Sequence, residues 1–264
     1  MARLRWRRGW AAAAILAAML GGARAQPGQL PFVRPSAGHV PANLLRISLA
    51  FTAPVDGGVL SRLALVHADG TPVEAPFLPQ ELWSPDGTVL TLLLHPGRVK
   101  SGLHARDTLG PILAAGETVT LTLDGRPLRR WQVDAADTEG PQVSSWRIAT
   151  VLAGTRQGLA VTLDAPVDGR GAGHVAIADA QGRRVPGEAV LARGESRWTF
   201  FPARPWRPGR YRLMVRSTLE DAAGNRANSR FETAPGAEVE AAVDQFLDFT
   251  IRPPAPAAFL TSRR

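Results

Sequence analysis

Leu45, Ile47, Leu49 and Phe51 alternate with polar or small residues, and Leu159, Val161 and Leu163 do the same further along the chain. A period of two sends successive side chains to opposite faces, the signature of a strand with one buried side. Similar patterns predict strands at 63–67, 89–94, 118–123 and 129–133, then at 146–150, 174–178, 197–201, 210–215 and 229–233. Turn signals divide them: VDGG, ADG, SPDG, LDG, AQG, RPG and AAGN. Short strands at this spacing predict antiparallel β-sandwiches.

The pattern occurs twice. Ala53–Val73, APVDGGVLSRLALVHADGTPV, lies 165 − 53 = 112 positions before Ala165–Val185, APVDGRGAGHVAIADAQGRRV, and nine of 21 positions are identical. Upstream, Ile47, Leu49 and Phe51 fall opposite Leu159, Val161 and Leu163. Downstream, after a shift of four residues, TVLTLLLHP faces SRWTFFPAR, and GETVTLTLDG faces GRYRLMVRST. Two copies of one unit account for this. The shared APVDG follows a core strand in both. Pro has no N–H to continue a ladder, and Asp-Gly turns the chain, with Gly free to take positive φ.

The expected fold class is all-β: two tandem immunoglobulin-like β-sandwich domains. Residues 40–136 make the first, with an inserted loop at 95–116 where the second copy has only ARPWRPG. A helical turn is expected around 105–109. Residues 143–235 make the second, and DTEGPQ at 137–142 is the linker. Residues 26–39 form an extended lead-in. Residues 236–264 form a C-terminal tail, in which Val239, Val243, Phe246 and Leu247 suit one short amphipathic helix.

The first 25 residues change how the charge is read. Arg3, Arg5, Arg7 and Arg8 precede an apolar run from Trp10 to Leu20, and Ala23-Arg24-Ala25 offers a cleavage site, the layout of a secretory signal peptide. The run is short for a membrane span, so no transmembrane segment is expected after cleavage. Arg7-Arg8 leaves twin-arginine export open beside the general route. The formal charge of the 264-residue chain is +8; removing five Arg and no acid leaves +3. Lys100 is the single lysine, and Arg is scattered among Asp and Glu, so nucleic acid is not an expected partner. The chain has no Cys: no disulfide staples it, no lipid anchor follows the cleavage site, and no thiol catalysis is available. The expected location is periplasmic or secreted.

Three segments carry a family resemblance: NLLRISLAFTAPV (Asn43–Val55), DGTPVEAPFLPQELWSPDGTVLTLLLHPGRVKSGL (Asp69–Leu103) and PWRPGRYRLMVRSTLEDAAGNR (Pro205–Arg226). They resemble bacterial secreted proteins with Ig-like domains of the type also found in surface-layer proteins. The shared features are the Phe51-Thr52-Ala53-Pro54 corner, the Pro208-Gly209-Arg210-Tyr211 turn into a strand, and Asp221-Ala222-Ala223-Gly224-Asn225 after it. Copy one departs, with LDGRPL where DAAGN would stand. The resemblance implies an exported module and brings no catalytic residues with it.

Candidate chemistry is sparse. There is no G-x-S-x-G elbow and no H-E-x-x-H. His95, His104 and Asp107 share the inserted loop, and support the alternative of a metal-handling or hydrolytic periplasmic protein. Glu220, Asp221 and Asn225 sit on one Gly-containing turn whose hard oxygens suit Ca²⁺, or which Asp221 and Asn225 cap with their own side chains. Trp83 and Trp206 fall at loops, as rim anchors or binding rings; Trp198 and Phe200 read as core, and Tyr211 as a tyrosine corner. The leading expectation is a non-enzymatic structural or binding module. Its first-domain loops would present Trp83, Arg98, Lys100, His104 and Arg106 to an envelope protein or an acidic polymer.

Overall fold

The computed structural model describes residues 30–99, 104–227 and 243–253. In the first sandwich, one sheet has the order β1 (Phe32–Arg34), β3 (Arg46–Ala50), β6 (Val89–Leu93), β5 (Leu82–Trp83). The facing sheet has the order β2 (His39–Pro41), β8 (Arg126–Asp134), β7 (Thr118–Leu123), β4 (Leu63–His67). Neighbours are antiparallel except β2, which runs parallel to β8. The second sandwich pairs β12 (Gly187–Leu191), β13 (Arg197–Pro202), β10 (Leu159–Thr162) and β9 (Arg147–Ile148) in one sheet. Its partner sheet holds β11 (Val175–Asp179), β14 (Gly209–Val215) and β15 (Gln245–Ile251). In both, the first, second, fifth and fourth core strands face the third, sixth and seventh, which is the constant-type immunoglobulin arrangement.

Each sandwich has its own apolar interior. Ile47, Leu49, Leu90 and Leu92 meet Leu65, Val119, Leu121 and Trp131 in the first. Leu159, Val161, Trp198 and Phe200 meet Ile177, Leu213, Val215 and Ile251 in the second. The alternation that predicted β3 and β10 thus reflects inward-facing positions. A line of rings runs through the second core, Trp198 to Phe200, Trp206, Tyr211 and Phe249, with neighbouring centroids 5.6–5.9 Å apart. The Tyr211 hydroxyl donates to the Arg207 carbonyl at 3.0 Å, the bond of a tyrosine corner.

The ends of the chain differ from the sequence-based map. The extended lead-in belongs to the first sandwich rather than preceding it: β1 pairs with β3, and β2 with β8. The tail is not helical from Gln245 onward, because β15 completes a sheet beside β14. Leu247, Phe249 and Ile251 pack on the core while Phe246, Asp248 and Thr250 alternate with them. The strand expected at 229–233 lies outside the described residues. The inserted loop carries two short helices, α1 (Pro96–Val99) and α2 (His104–Leu109). Among the described residues, no helix is long and apolar enough to cross a membrane.

Candidate functional site at the domain junction

The densest polar cluster lies where the sandwiches meet. The loop between β12 and β13 turns through Gly194 and Glu195, both at positive φ (+81° and +50°). Glu at such an angle is strained, since its Cβ crowds the backbone. Two groups fix it: the Glu195 N–H donates to Ala192 O, and its carbonyl accepts from Val167 N–H. Its carboxylate, 1% exposed, then enters the first sandwich. There Arg34 Nη1 donates to Oε1 at 2.5 Å, Ser36 N–H to Oε2 at 2.8 Å and Ser36 Oγ to Oε1 at 2.6 Å. Ser36 Oγ also accepts from Gly194 N–H at 2.8 Å. A carboxylate so buried is tolerated only with partners of this kind. Ser36 is held in turn by its own sandwich: Arg129 donates to its carbonyl, and Trp131 Nε1 to the Pro35 carbonyl at 3.0 Å.

A second cluster surrounds Arg46 at the start of β3. Its guanidinium pairs with Glu220 and lies 3.4 Å from Asp168 Oδ2. Asp168 also accepts from the Arg170 N–H at 2.8 Å, and Glu220 from Arg226 Nε at 3.2 Å. These groups and His174 line a cleft of about 350 Å³ between the sandwiches. Backbone joins backbone where Leu45 N–H donates to Ala222 O at 3.0 Å. The linker is clamped from both sides: Asn43 Nδ2 and Asn225 Nδ2 donate to the Asp137 carbonyl, and Asp137 N–H to Asn43 Oδ1. Across the top, Arg34 and Arg193 lie 5.1 and 5.6 Å from the Phe32 ring centroid, one from each sandwich.

The repeated APVDG therefore serves two ends. In the first sandwich Asp56 is exposed and Gly57 takes φ +91°, as a turn demands. In the second, Asp168 is buried against Arg46, and Gly169 is not at positive φ. Gly169 is small for another reason: a Cβ there would run into the Arg34 side chain.

Several sequence-derived candidates occupy other places than expected. Arg98 is buried rather than presented to a partner. Its guanidinium donates to the carbonyls of Glu74, Gly110 (3.0 Å), Leu109 and Pro111 (both 3.3 Å), tying two loops together. Trp83 is half-buried, with its ring 5.7 Å from Phe51, and it donates to Glu81 at 2.8 Å. Burial pushes the Glu81 carboxyl up, but donors from Leu60, Trp83 and Gly58 outweigh it and hold it below the usual range. Trp206 is buried and donates to Gln157 O. His104 and Arg106 lie on α2, and Lys100 lies outside the described residues. His95 Nδ1 accepts from Gly97 N–H, and Asp107 is exposed.

On the 220–225 turn, Asp221 accepts from Ala223 N–H, Asn225 N–H and Asn225 Nδ2 at 2.8–2.9 Å, while Glu220 faces the two arginines. Burial raises the Asp221 pKa to about 6; its bonds to Asn225 oppose this and the nearby Asp137 adds to it. Among the described residues, no three His, Asp or Glu side chains gather as a metal site. Sequence reasoning missed Glu195, Arg34, Ser36 and Arg46. The one trace was an acidic residue at a Gly-containing turn, RGES, where turn chemistry alone would favour Asn or Asp.

Strand order and junction together define a two-domain immunoglobulin-like protein whose halves share a buried ionic interface. No family model and no curated protein sequence matches the chain. Solved structures that resemble it include titin domains Z1Z2 in complex with telethonin, at 12% identity, covering 79% of this chain and 86% of that one, TM-score 0.24. Domains 5–6 of the S-layer protein SbsC are 9% identical over 86% and 98% of the two chains, TM-score 0.25. The Ig1–2 module of the Drosophila receptor tyrosine phosphatase DLAR is 12% identical over 73% and 90%, TM-score 0.22. The fold assignment rests on strand order and not on these likenesses.

Proposed function

We propose that this protein is a non-enzymatic module of the bacterial envelope, periplasmic or secreted, in which two sandwiches act as one fixed unit that spaces or presents surfaces. The observation that carries the reading is the buried Glu195 carboxylate, whose ionic partner belongs to the other sandwich. Domains that swung freely would repeatedly strip that carboxylate of Arg34 and Ser36. Arg46 between Asp168 and Glu220, and the clamp on Asp137, act in the same sense. The basic start, apolar run and A-x-A site support export.

¹⁵N relaxation of the protein purified after export tests the reading. One rotational correlation time for both sandwiches is expected; two distinct times would overturn it.

A further inference from the structure

The far end of the second sandwich, away from the junction, carries charge that the fold does not use. The loop after β11 and the loop between β13 and β14 form the walls of a cleft of about 370 Å³, lined by Arg184, Arg204 and Arg207 with Pro186, Pro205 and Tyr211. Arg183 and Asp179 also line the cleft, but they pair with each other at 2.9 Å and so add no net charge to it. Arg184, Arg204 and Arg207 are exposed and make no ion pair among the described residues. Three like charges around one concavity repel each other and concentrate counter-anions there. Because they come from both walls, they flank a groove, which suits a linear ligand with repeated anionic groups better than a single ion. The guanidinium fork matches carboxylates in a bidentate way.

We infer that this cleft binds a linear acidic polysaccharide through its carboxylate groups. Peptide recognition fits less well, since Pro186 and Pro205 have no N–H to offer a peptide backbone. Nucleic acid fits less well, since single strands bind by stacking on open aromatic faces. Trp206 is 3% exposed, and Tyr211 stacks on Phe249 with Trp206 at its edge. The inference does not depend on a fixed junction, which lies at the opposite end of this sandwich.

The test is fluorescence anisotropy of a labelled oligogalacturonate titrated with the protein purified after export. A neutral oligosaccharide of equal length, a polyglutamate peptide and a single-stranded oligonucleotide serve as competing probes. Binding of the oligogalacturonate that weakens with salt is expected. The triple variant Arg184→Ala, Arg204→Ala, Arg207→Ala loses about ten- to a hundredfold in affinity. Arg147→Ala with Arg197→Ala, which remove exposed charge elsewhere, leave it unchanged, and near-identical thermal melts establish that both variants fold. Absence of binding, equal binding of the neutral sugar, indifference to the triple variant, or stronger binding of the peptide or oligonucleotide would each overturn the inference.

Discussion

The Glu195 carboxylate of the second sandwich sits 2.5 Å from the Arg34 guanidinium of the first, on a residue held at φ +50°. That backbone angle costs of order 1–3 kcal/mol for a residue with a side chain. The strain persists because the loop is over-determined by Val167, Ala192 and Ser36. Removing Arg34 strands a buried anion. Arg34→Ala is expected to cost about 3 kcal/mol. Glu195→Gln, which keeps an acceptor for Ser36, costs about 1–2 kcal/mol. Urea unfolding in a double-mutant cycle checks this: a coupling of about 1 kcal/mol or more is expected, and additive losses would contradict it.

The two copies of APVDG separate two uses of glycine. Gly57→Ala forces a side chain into φ +91° and is expected to destabilise by about 1 kcal/mol without altering the junction. Gly169→Ala instead pushes on Arg34. Amide chemical shifts at Ser36, Gly194 and Glu195 are expected to move in Gly169→Ala and to stay in Gly57→Ala.

Asp221 makes stability depend on pH in a direction opposite to most carboxylates. Its pKa is about 6 in the folded protein against 3.8 for the ordinary group. The folded state therefore holds a proton that the unfolded state lacks between about pH 4 and 6. The group's contribution improves as pH falls from 6 toward 4, and its full penalty stands above 6. The span is at most about 3 kcal/mol. Asp221→Asn removes it. Denaturation at pH 7 and pH 5 is expected to show the parent gaining on the variant as pH falls; parallel changes would contradict the assignment.

Arg98 is a structural cation whose guanidinium is bonded to backbone carbonyls of two loops. Arg98→Ala leaves those carbonyls short of donors, and is expected to cost about 2–4 kcal/mol. Hydrogen exchange is expected to rise in the loops around Glu74 and Leu109 and not in the second sandwich. Exchange unchanged there would return Arg98 to the surface role first expected of it.

The strands of the core were legible because their physics is local. Ile47 and Leu49, or Trp198 and Phe200, must alternate inward whatever the rest of the chain does. β15 was not legible for a definite reason. Phe246 and Leu247 are adjacent, and joined to Val239 and Val243 they fit a helical period as well as a strand. Only pairing with β14 and the stack of Phe249 on Tyr211 decides for the strand. The junction was less visible still. Arg34, Ser36 and Glu195 are ordinary loop or edge residues until two sandwiches bring positions 34 and 195 together. Arg98 misled because an Arg in a polar loop reads as solvated, and nothing local announces backbone carbonyls gathered from two loops. The basic cleft was similarly split between residues 184 and 204–207.

The fixed junction is open to one direct measurement. The chain has no Cys, so spin labels at Ser61→Cys and Gln181→Cys report one distance between the two sandwiches without competing sites. A single narrow distribution of distances is expected, broadening when Glu195→Gln and Arg46→Ala are added. A broad distribution in the parent, unchanged by those substitutions, would contradict a fixed two-domain unit.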